Sequence, residues 1–339
     1  MKILSIETSC DETSAAVIEN STVLSNIISS QYFHKNYGGV VPELASRAHL
    51  KYIKQIVEQA INNSNVNIKE IQAIAVTSEP GLAGSLLVGA NFAKGLSIKY
   101  NIPIVPVNHI EGHLYSGNLQ NNNLQFPYVS LVVSGGHTLL FFVESYNKYK
   151  ILGSTIDDAA GEAFDKIAKM FGLDYPGGPE IDKYAKIGNS KKYNFPRSMI
   201  HSGDFNFSFS GLKTSIRYFL KKEFPNDITE IELPDLCASA QQAIVDVLVS
   251  KTINAAKQNT VSNIVIGGGV SANSKLRIDL ESEANKINIS IVAPALNYCM
   301  DNAAMIGFIA EKKLSDINSN NLYHNLMFTV SANALRATR

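Results

Sequence analysis

The chain opens on short apolar runs separated by polar turns, with the two-residue period of strands rather than the longer period of helices. Lys2 to Ile6 is predicted as a first strand, Cys10-Asp11-Glu12-Thr13 as a polar turn, and Ser14 to Ile18 and Val23 to Ser29 as second and third strands. After a loop around Gly38-Gly39 the pattern turns helical from Pro42 to Asn62, with Leu44, Ala48, Ile53, Ile56 and Val57 apolar. Ile71 to Thr77 reads as a buried strand. Pro80-Gly81-Leu82-Ala83-Gly84 is a turn opening a helix from Ser85 to Tyr100, and Ile102 to Val107 is a further strand. The Asn-rich stretch from Asn118 to Asn123 marks a domain boundary.

The opening pattern then returns. Tyr128 to Val133, a turn at Ser134-Gly135-Gly136-His137, Thr138 to Glu144 and Tyr149 to Ser154 repeat the strand-turn-strand-strand order of the start. A repeat of this size predicts a duplicated α/β domain, the two copies facing across a cleft. Two unrelated meanders are the competing reading. Helices are predicted for Asp157 to Phe171, Phe209 to Lys222 and Leu233 to Gln258. A strand from Asn263 to Ile266 enters Gly267-Gly268-Gly269 and a helix to Lys286, and Ile289 to Ala293 is another strand. Asp301 is placed as the N-cap of a helix from Asn302 to Leu314, and the Asn-rich tail from Asn318 as loosely held. The resulting domains are 1–125, with the helix 301–314 packing back on it, and 126–300, followed by a tail, 315–339.

Composition narrows the class. At 339 residues, 45% hydrophobic and 18% charged, the chain is long enough for two cores. A net charge of zero gives no global field for nucleic acid, so such a partner needs a local patch or another subunit. Cys10, Cys237 and Cys299 are far apart with no Cys-x-x-Cys, which suits a reducing compartment and excludes a sulfur metal site. Glu7 comes too early for a signal peptide, and no apolar run reaches membrane-spanning length. A cytoplasmic protein is expected.

The candidate chemistry centres on Asn108-His109-Ile110-Glu111-Gly112-His113. Asn108 is a good N-cap, and Glu111 stands where a capping box needs it. In that helix His109 and His113 lie one turn apart on one face, a spacing that lets two imidazoles share a metal ion. A His-Glu-x-x-His protease has its glutamate directly after the first histidine, whereas Glu111 points roughly 200° round the helix from His109, so the protease lacks its base.

Two adjacent glycines at Gly135-Gly136 let backbone amides approach a phosphate, and the run at Gly267-Gly268-Gly269 adds weight to a nucleotide reading. Neither fits the P-loop or the Rossmann spacing. Asp158, Glu162 and Asp165 fall on one helical face, where like charges need either a use or solvent. Asp174-Tyr175-Pro176-Gly177-Gly178-Pro179 is predicted as a tight turn, with Asp182 just beyond. Lys213, Arg217 and Lys221 recur every fourth residue as a basic stripe able to meet phosphates, or simply water.

Several long motifs are recognisable together. They are Ile6-Glu7-Thr8-Ser9-Cys10-Asp11-Glu12-Thr13, Tyr37-Gly38-Gly39-Val40-Val41-Pro42-Glu43-Leu44-Ala45-Ser46-Arg47, the His109 to His113 segment, Val132 to Thr138, Asp157 to Lys166, Phe207 to Thr214, and Gly267 to Asn273. They resemble the bacterial TsaD family of tRNA N6-adenosine threonylcarbamoyltransferases, from Met1 to about Ala310. The resemblance implies an actin-like, Hsp70-like ATPase fold of two duplicated domains. The implied activity moves a threonylcarbamoyl group from threonylcarbamoyl-adenylate to N6 of the adenosine 3′ of the anticodon, in tRNAs reading codons that begin with A. It also implies one divalent metal, iron with zinc as the alternative, on His109, His113 and Asp301. Val132, Val133, Ser134, Gly135, Gly136, Asp165, Gly178, Asp182 and Asn273 would hold the adenylate. Implied partners are tRNA, a TsaB-like paralogue and a TsaE-like ATPase.

The mechanism expected is metal-assisted acyl transfer, with backbone donors at Ser134-Gly135-Gly136 and with Asp11 or Glu12 as candidate base for the adenine amine. A sugar or acid kinase on the same fold is the alternative enzyme, and would leave the histidine pair idle. A metal-bound scaffold subunit is the non-enzymatic alternative.

Overall fold

A computed structural model describes residues 1–119, 124–225, 228–316 and 326–332. The chain divides into two units, Met1–Asn123 with Met300–Arg339, and Leu124–Cys299.

The first unit is built on strands β1 (Lys2–Glu7), β2 (Glu12–Glu19), β3 (Thr22–Ser30), β4 (Ala73–Glu79) and β5 (Ile104–Asn108), ordered β3-β2-β1-β4-β5. β1 runs antiparallel to β2 and parallel to β4, and β4 runs parallel to β5. β1 is buried on both faces, which is why Ile3, Leu4 and Ile6 place apolar side chains on both. Leu4 and Ile6 join Ile53 and Val57 of α1 (Pro42–Asn63) and Ala93 of α2 (Ala83–Tyr100) in one cluster. On the opposite face Ser5 and Ile18 meet Gly307 of α9 (Ala303–Asp316), where an added Cβ would stand 2.8 Å from both side chains. That glycine lets α9 lie flat on the sheet. Met305, Ile306, Phe308 and Ile309 are buried on the same helix, and burial is worth about 1.5–3 kcal/mol for each such side chain.

The second unit repeats the plan. Its strands are β6 (Tyr128–Val133), β7 (Thr138–Ser145), β8 (Lys148–Ser154), β9 (Asn263–Gly267) and β10 (Ser290–Val292), ordered β8-β7-β6-β9-β10. The antiparallel and parallel pairings fall in the same places as in the first sheet. Two unrelated meanders would not share both order and direction, so the repeat is a duplication of fold. Its helices are α4 (Ala160–Met170), α5 (Gly177–Ala185), α6 (Ser210–Glu223), α7 (Leu233–Gln258) and α8 (Ser274–Asn285). The short helix carrying the histidines is α3 (His109–Leu114).

Several expectations change. Glu12 and Thr13 belong to β2 rather than to a turn. The segment expected as a tight turn opens α5 instead. Gly177 is needed there because an added Cβ would stand 2.8 Å from Asp165 Cα. α4 begins at Ala160, not Asp157, because the Asp157 carboxylate is taken by the start of α6: it accepts from Phe209 N at 2.8 Å and from the Ser208 and Ser210 hydroxyls at 2.6 Å. The C-terminal tail is not loose throughout. Most of it lies outside the described residues, but Leu326 and Phe328 pack on the first unit's core, and Lys94 Nζ donates to Phe328 O at 3.0 Å.

Candidate functional site

β5 delivers Asn108, whose Oδ1 accepts from Ile110 N at 2.9 Å and starts α3 as a capping residue should. His109 and His113 follow on one face, 5% and 0% exposed, with ring centroids 4.7 Å apart. Asp301 comes to them from the loop before α9. Its Oδ1 is 2.9 Å from His113 Nε2 and 3.4 Å from His109 Nε2. Donor atoms of the three residues lie within 4.8 Å of one another, a group that could hold a metal ion. Gly112 makes this approach feasible, since an added Cβ would stand 2.9 Å from Met305 Cγ on α9.

The cap of α9 is Asn302 rather than Asp301. Asn302 Oδ1 accepts from Met305 N at 3.1 Å, and the Asp301 carboxylate is left for the histidines. The Glu111 carboxylate lies on the other side of α3, 2.6 Å from Lys313 Nζ, where it ties α3 to α9.

Charges at this centre are strongly coupled. Burial works against an imidazolium at His109, but Asp301 and Glu7 outweigh it and hold the ring's pKa well above the usual value. Burial likewise opposes ionised Asp301, and His109 and His113 overcome it, so its pKa falls well below the ordinary range. A proton and a metal therefore compete for the same ring nitrogens. Two imidazoles and a carboxylate, with Nδ1 of His109 already engaged by Glu7 Oε2 at 3.0 Å, form a donor set that fits a divalent transition metal. Beside it, burial first and then Asp11 and Asp301 push the Glu12 carboxyl well above the usual carboxylate range. That makes its ionised form a stronger proton acceptor than an exposed glutamate. Glu7 and Ser9, around His109, had no role in the sequence reading beyond their motif.

In the second unit Val132 and Val133 are buried at the end of β6. Ser134 closes the turn, its N donating to His137 O at 2.8 Å and its Oγ accepting from His137 N at 3.2 Å. Gly135 and Gly136 are exposed, and an added Cβ at either would meet nothing within 4 Å. The second glycine turn lies alongside. Val132 pairs with Gly267, and Gly268, at φ +85°, presses on the backbone of Val133. Both turns thus sit at the carboxyl ends of adjacent parallel strands, a usual ligand position in α/β sheets.

The other expected substrate residues are engaged within the protein. Asp165 accepts from Gly177 N at 2.7 Å. Asp182 Oδ1 accepts from the Ser274 hydroxyl at 2.7 Å, and Asn273 caps α8 through Leu276 N at 3.0 Å while donating to Gln241. Gly178 is open, since an added Cβ there would meet only Phe164 Cβ, at 3.9 Å.

The acidic and basic faces resolve into pairs. Asp158 lies before α4 and is 2.9 Å from Lys166 and 2.7 Å from Lys213, and Lys166 also reaches Glu162 at 2.7 Å. Of the three carboxylates of the acidic face, Asp165 accepts from a backbone amide, while Asp158 and Glu162 are paired with lysines. Lys213 leaves the stripe for the same reason. Arg217 and Lys221 remain exposed, sharing a face with Thr214 and with Tyr218, which is 68% exposed. Tyr218 belongs neither to the helix's apolar side nor to the four-residue basic spacing, so the sequence pattern does not mark it.

A family model for TsaD, described as tRNA N6-adenosine threonylcarbamoyltransferase, matches residues 22–308. The chain belongs to the TsaD family. Among its relatives, a tRNA N6-adenosine threonylcarbamoyltransferase of Fervidobacterium nodosum is 52% identical over 90% of this chain and 91% of its own length. One from Thermosipho africanus is 49% identical over 92% and 94%. Among solved structures, full-length HypF in its phosphate- and nucleotide-bound form matches with a TM-score of 0.62 at 12% identity, over 94% of this chain and 47% of HypF. Component A of the Acidaminococcus fermentans (R)-2-hydroxyglutaryl-CoA dehydratase matches with a TM-score of 0.56 at 13% identity, over 93% of this chain and the whole of that one. At these identities they speak for the fold alone, and this TsaD-family chain shares their actin-like ATPase architecture. No described helix is long and apolar enough to cross a membrane.

Proposed function

We propose that this TsaD-family chain transfers threonylcarbamoyl from threonylcarbamoyl-adenylate to N6 of the adenosine 3′ of the anticodon in tRNAs reading codons that begin with A. The observation that carries the reading is the convergence of His109 Nε2, His113 Nε2 and Asp301 Oδ1 in a largely buried group within a chain of this family. His109, His113 and Asp301 would hold a divalent metal, iron with zinc as the alternative, which when bound supplies Lewis acidity toward an acyl or phosphate oxygen.

The remaining work falls to the chain's own groups. The open turn at Gly135-Gly136 offers backbone amides to negative charge on the adenylate, and Val132, Val133 and Ser134 form its rigid base. Gly178 leaves room beside Asp165, while Asp182 and Asn273 hold the start of α8 that would border the same ligand. As the N6–carbonyl bond forms and the bond to the adenylate phosphate breaks, AMP leaves and the amine's proton passes to a carboxylate. Glu12 or its neighbour Asp11 is the candidate acceptor.

The tRNA would be met in part by Arg217 and Lys221. A TsaB-like partner would dock in the mostly apolar groove between α1 and α2, lined by Leu50, Ile53, Leu87, Val88, Asn91 and Phe92, with Leu50 71% exposed. A TsaE-like ATPase completes the set, and the reaction belongs in the cytoplasm with its tRNA.

The test is transfer of labelled threonine to tRNA with partners, ATP and bicarbonate supplied, in wild type and His109→Ala. Transfer that disappears in the variant supports the reading. No transfer by the complete wild-type system, together with phosphorylation of a sugar by this chain alone, would overturn it.

A further inference from the structure

Glu7 is fully buried at the end of β1, and among the described residues its one ion-pair partner is His109. A buried carboxylate is costly unless its lone pairs are used, and here they are. Oε1 accepts from Ser9 N at 2.5 Å, and Oε2 accepts from the Thr77 hydroxyl at 2.5 Å while lying 3.0 Å from His109 Nδ1.

The strand end that carries Glu7 is itself clamped. Thr8 Oγ1 donates to Ser85 O at 2.9 Å, and an added Cβ at Gly81 would stand 3.0 Å from Ser9 Cα. The carboxylate has little freedom to swing away. The Ser9 hydroxyl also reaches Nδ1, at 3.1 Å. Of these two acceptors the carboxylate prevails, because a charged acceptor holds an N–H roughly twice as strongly as a neutral one.

We propose that Glu7 is a positioning residue for the metal centre: it takes the Nδ1–H of His109, so that the Nε2 lone pair of that ring is the one presented beside His113 and Asp301. The proposal rests on the metal reading above. A neutral imidazole has one N–H and one lone pair, so fixing the first fixes the second, and a carboxylate on the N–H also makes the other nitrogen a better donor. The two histidines are thereby held unequally. His113 Nδ1 is buried with no hydrogen-bond partner among the described residues, so His109 is the anchored ligand of the pair.

The experiment uses the full chain stripped of metal. Zn²⁺ is titrated against a competing chromophoric chelator in wild type, Glu7→Gln, Thr77→Val and Ser9→Ala. In parallel the His109 Nδ1–H is followed by NMR in ¹⁵N-histidine-labelled protein without metal. Glu7→Gln is expected to weaken Zn²⁺ binding by about 10–100-fold, Thr77→Val by less, and Ser9→Ala not at all. The exchange-protected Nδ1–H of the wild type should be lost in Glu7→Gln. Unchanged zinc affinity in Glu7→Gln, or a larger loss in Ser9→Ala, overturns the proposal. Should Glu7→Gln fail to fold, Thr77→Val decides: weakened binding supports the cradle and wild-type binding overturns it. If the wild type itself takes no zinc the metal reading fails, and the Nδ1–H signal, present or absent, still settles whether Glu7 holds the ring.

Discussion

Asp301 Oδ1 stands 2.9 Å from His113 Nε2 although 188 positions separate the two residues. The approach depends on a neighbour, because Asn302 caps α9 and frees the Asp301 side chain to turn inward. A three-residue donor set has no spare member, so Asp301→Ala should lose metal about as severely as His113→Ala. Asn302→Ala should cost about 1 kcal/mol of stability and lower metal content with it. Metal analysis after dialysis checks both, and full occupancy in Asp301→Ala would remove that residue from the set.

Reversing Arg217 and Lys221 to glutamate should weaken tRNA binding and flatten its salt dependence, because each lost phosphate contact releases fewer counterions. Lys213→Glu should behave differently. It breaks the 2.7 Å pair with Asp158 and should lower stability by about 1–3 kcal/mol. Binding isotherms across salt concentrations separate the two effects. Unchanged affinity and slope in the double variant would leave that face to water.

At the glycine turns, substitution should divide by position. Gly161→Ala drives a Cβ to 2.5 Å from Ser134 O and 2.8 Å from Gly135 Cα, and should cost about 1–3 kcal/mol by overpacking. Gly135→Ala and Gly136→Ala meet open space, so stability should hold while adenylate binding falls. Chemical denaturation and nucleotide titration report the two quantities. An adenylate affinity unmoved by both open-turn variants would place the ligand elsewhere.

In the metal-free protein two buried histidines should withdraw stability on acidification below about pH 6.5. His34 and His49 are buried between Gln31, Thr13 and the Cys10 carbonyl, with Asp11 and Glu7 nearby, and burial lowers both pKa values below the usual 6.5 of an imidazole. The unfolded chain then binds protons first, so unfolding becomes easier as pH drops from 6.5 toward the folded values. His109 acts with the opposite sign and above this window, since its folded pKa is raised, and Glu12, whose carboxyl is also raised, opposes the two rings as it takes up its proton. Urea midpoints of wild type and His49→Gln compared across the range isolate the ring, and the wild type should lose more on acidification. Parallel profiles would mean that His49 carries no such penalty.

The strands and their repeat could be read from residue pattern because each is a short, largely apolar run with polar residues or a turn beside it, although β1, β2 and β6 are buried on both faces and show no in-and-out period. α5 could not, since Pro176-Gly177-Gly178-Pro179 has the composition of a turn and only the close approach of α4, at Asp165 and Ala168, explains Gly177. Asp301 and Asn302 are both good caps, and tertiary contacts decided between them. The basic stripe was visible as spacing, whereas the loss of Lys213 to Asp158 joins residues 55 apart and leaves no local mark. Glu7 and Ser9 likewise act on a histidine about a hundred positions away. Phe328, in a stretch that looks featureless, is fixed by Lys94 from another element.

The return of α9 to the sheet that opens the chain sets an order on synthesis. Residues 124–299 are contiguous, so the second unit has its whole core once that stretch has left the ribosome. The first unit does not, because the face with Ser5 and Ile18 stays uncovered until α9 follows. Domains generally fold in the order in which they are made. Here the unit begun first is finished last, and His113 waits while the 188 positions to Asp301 are added.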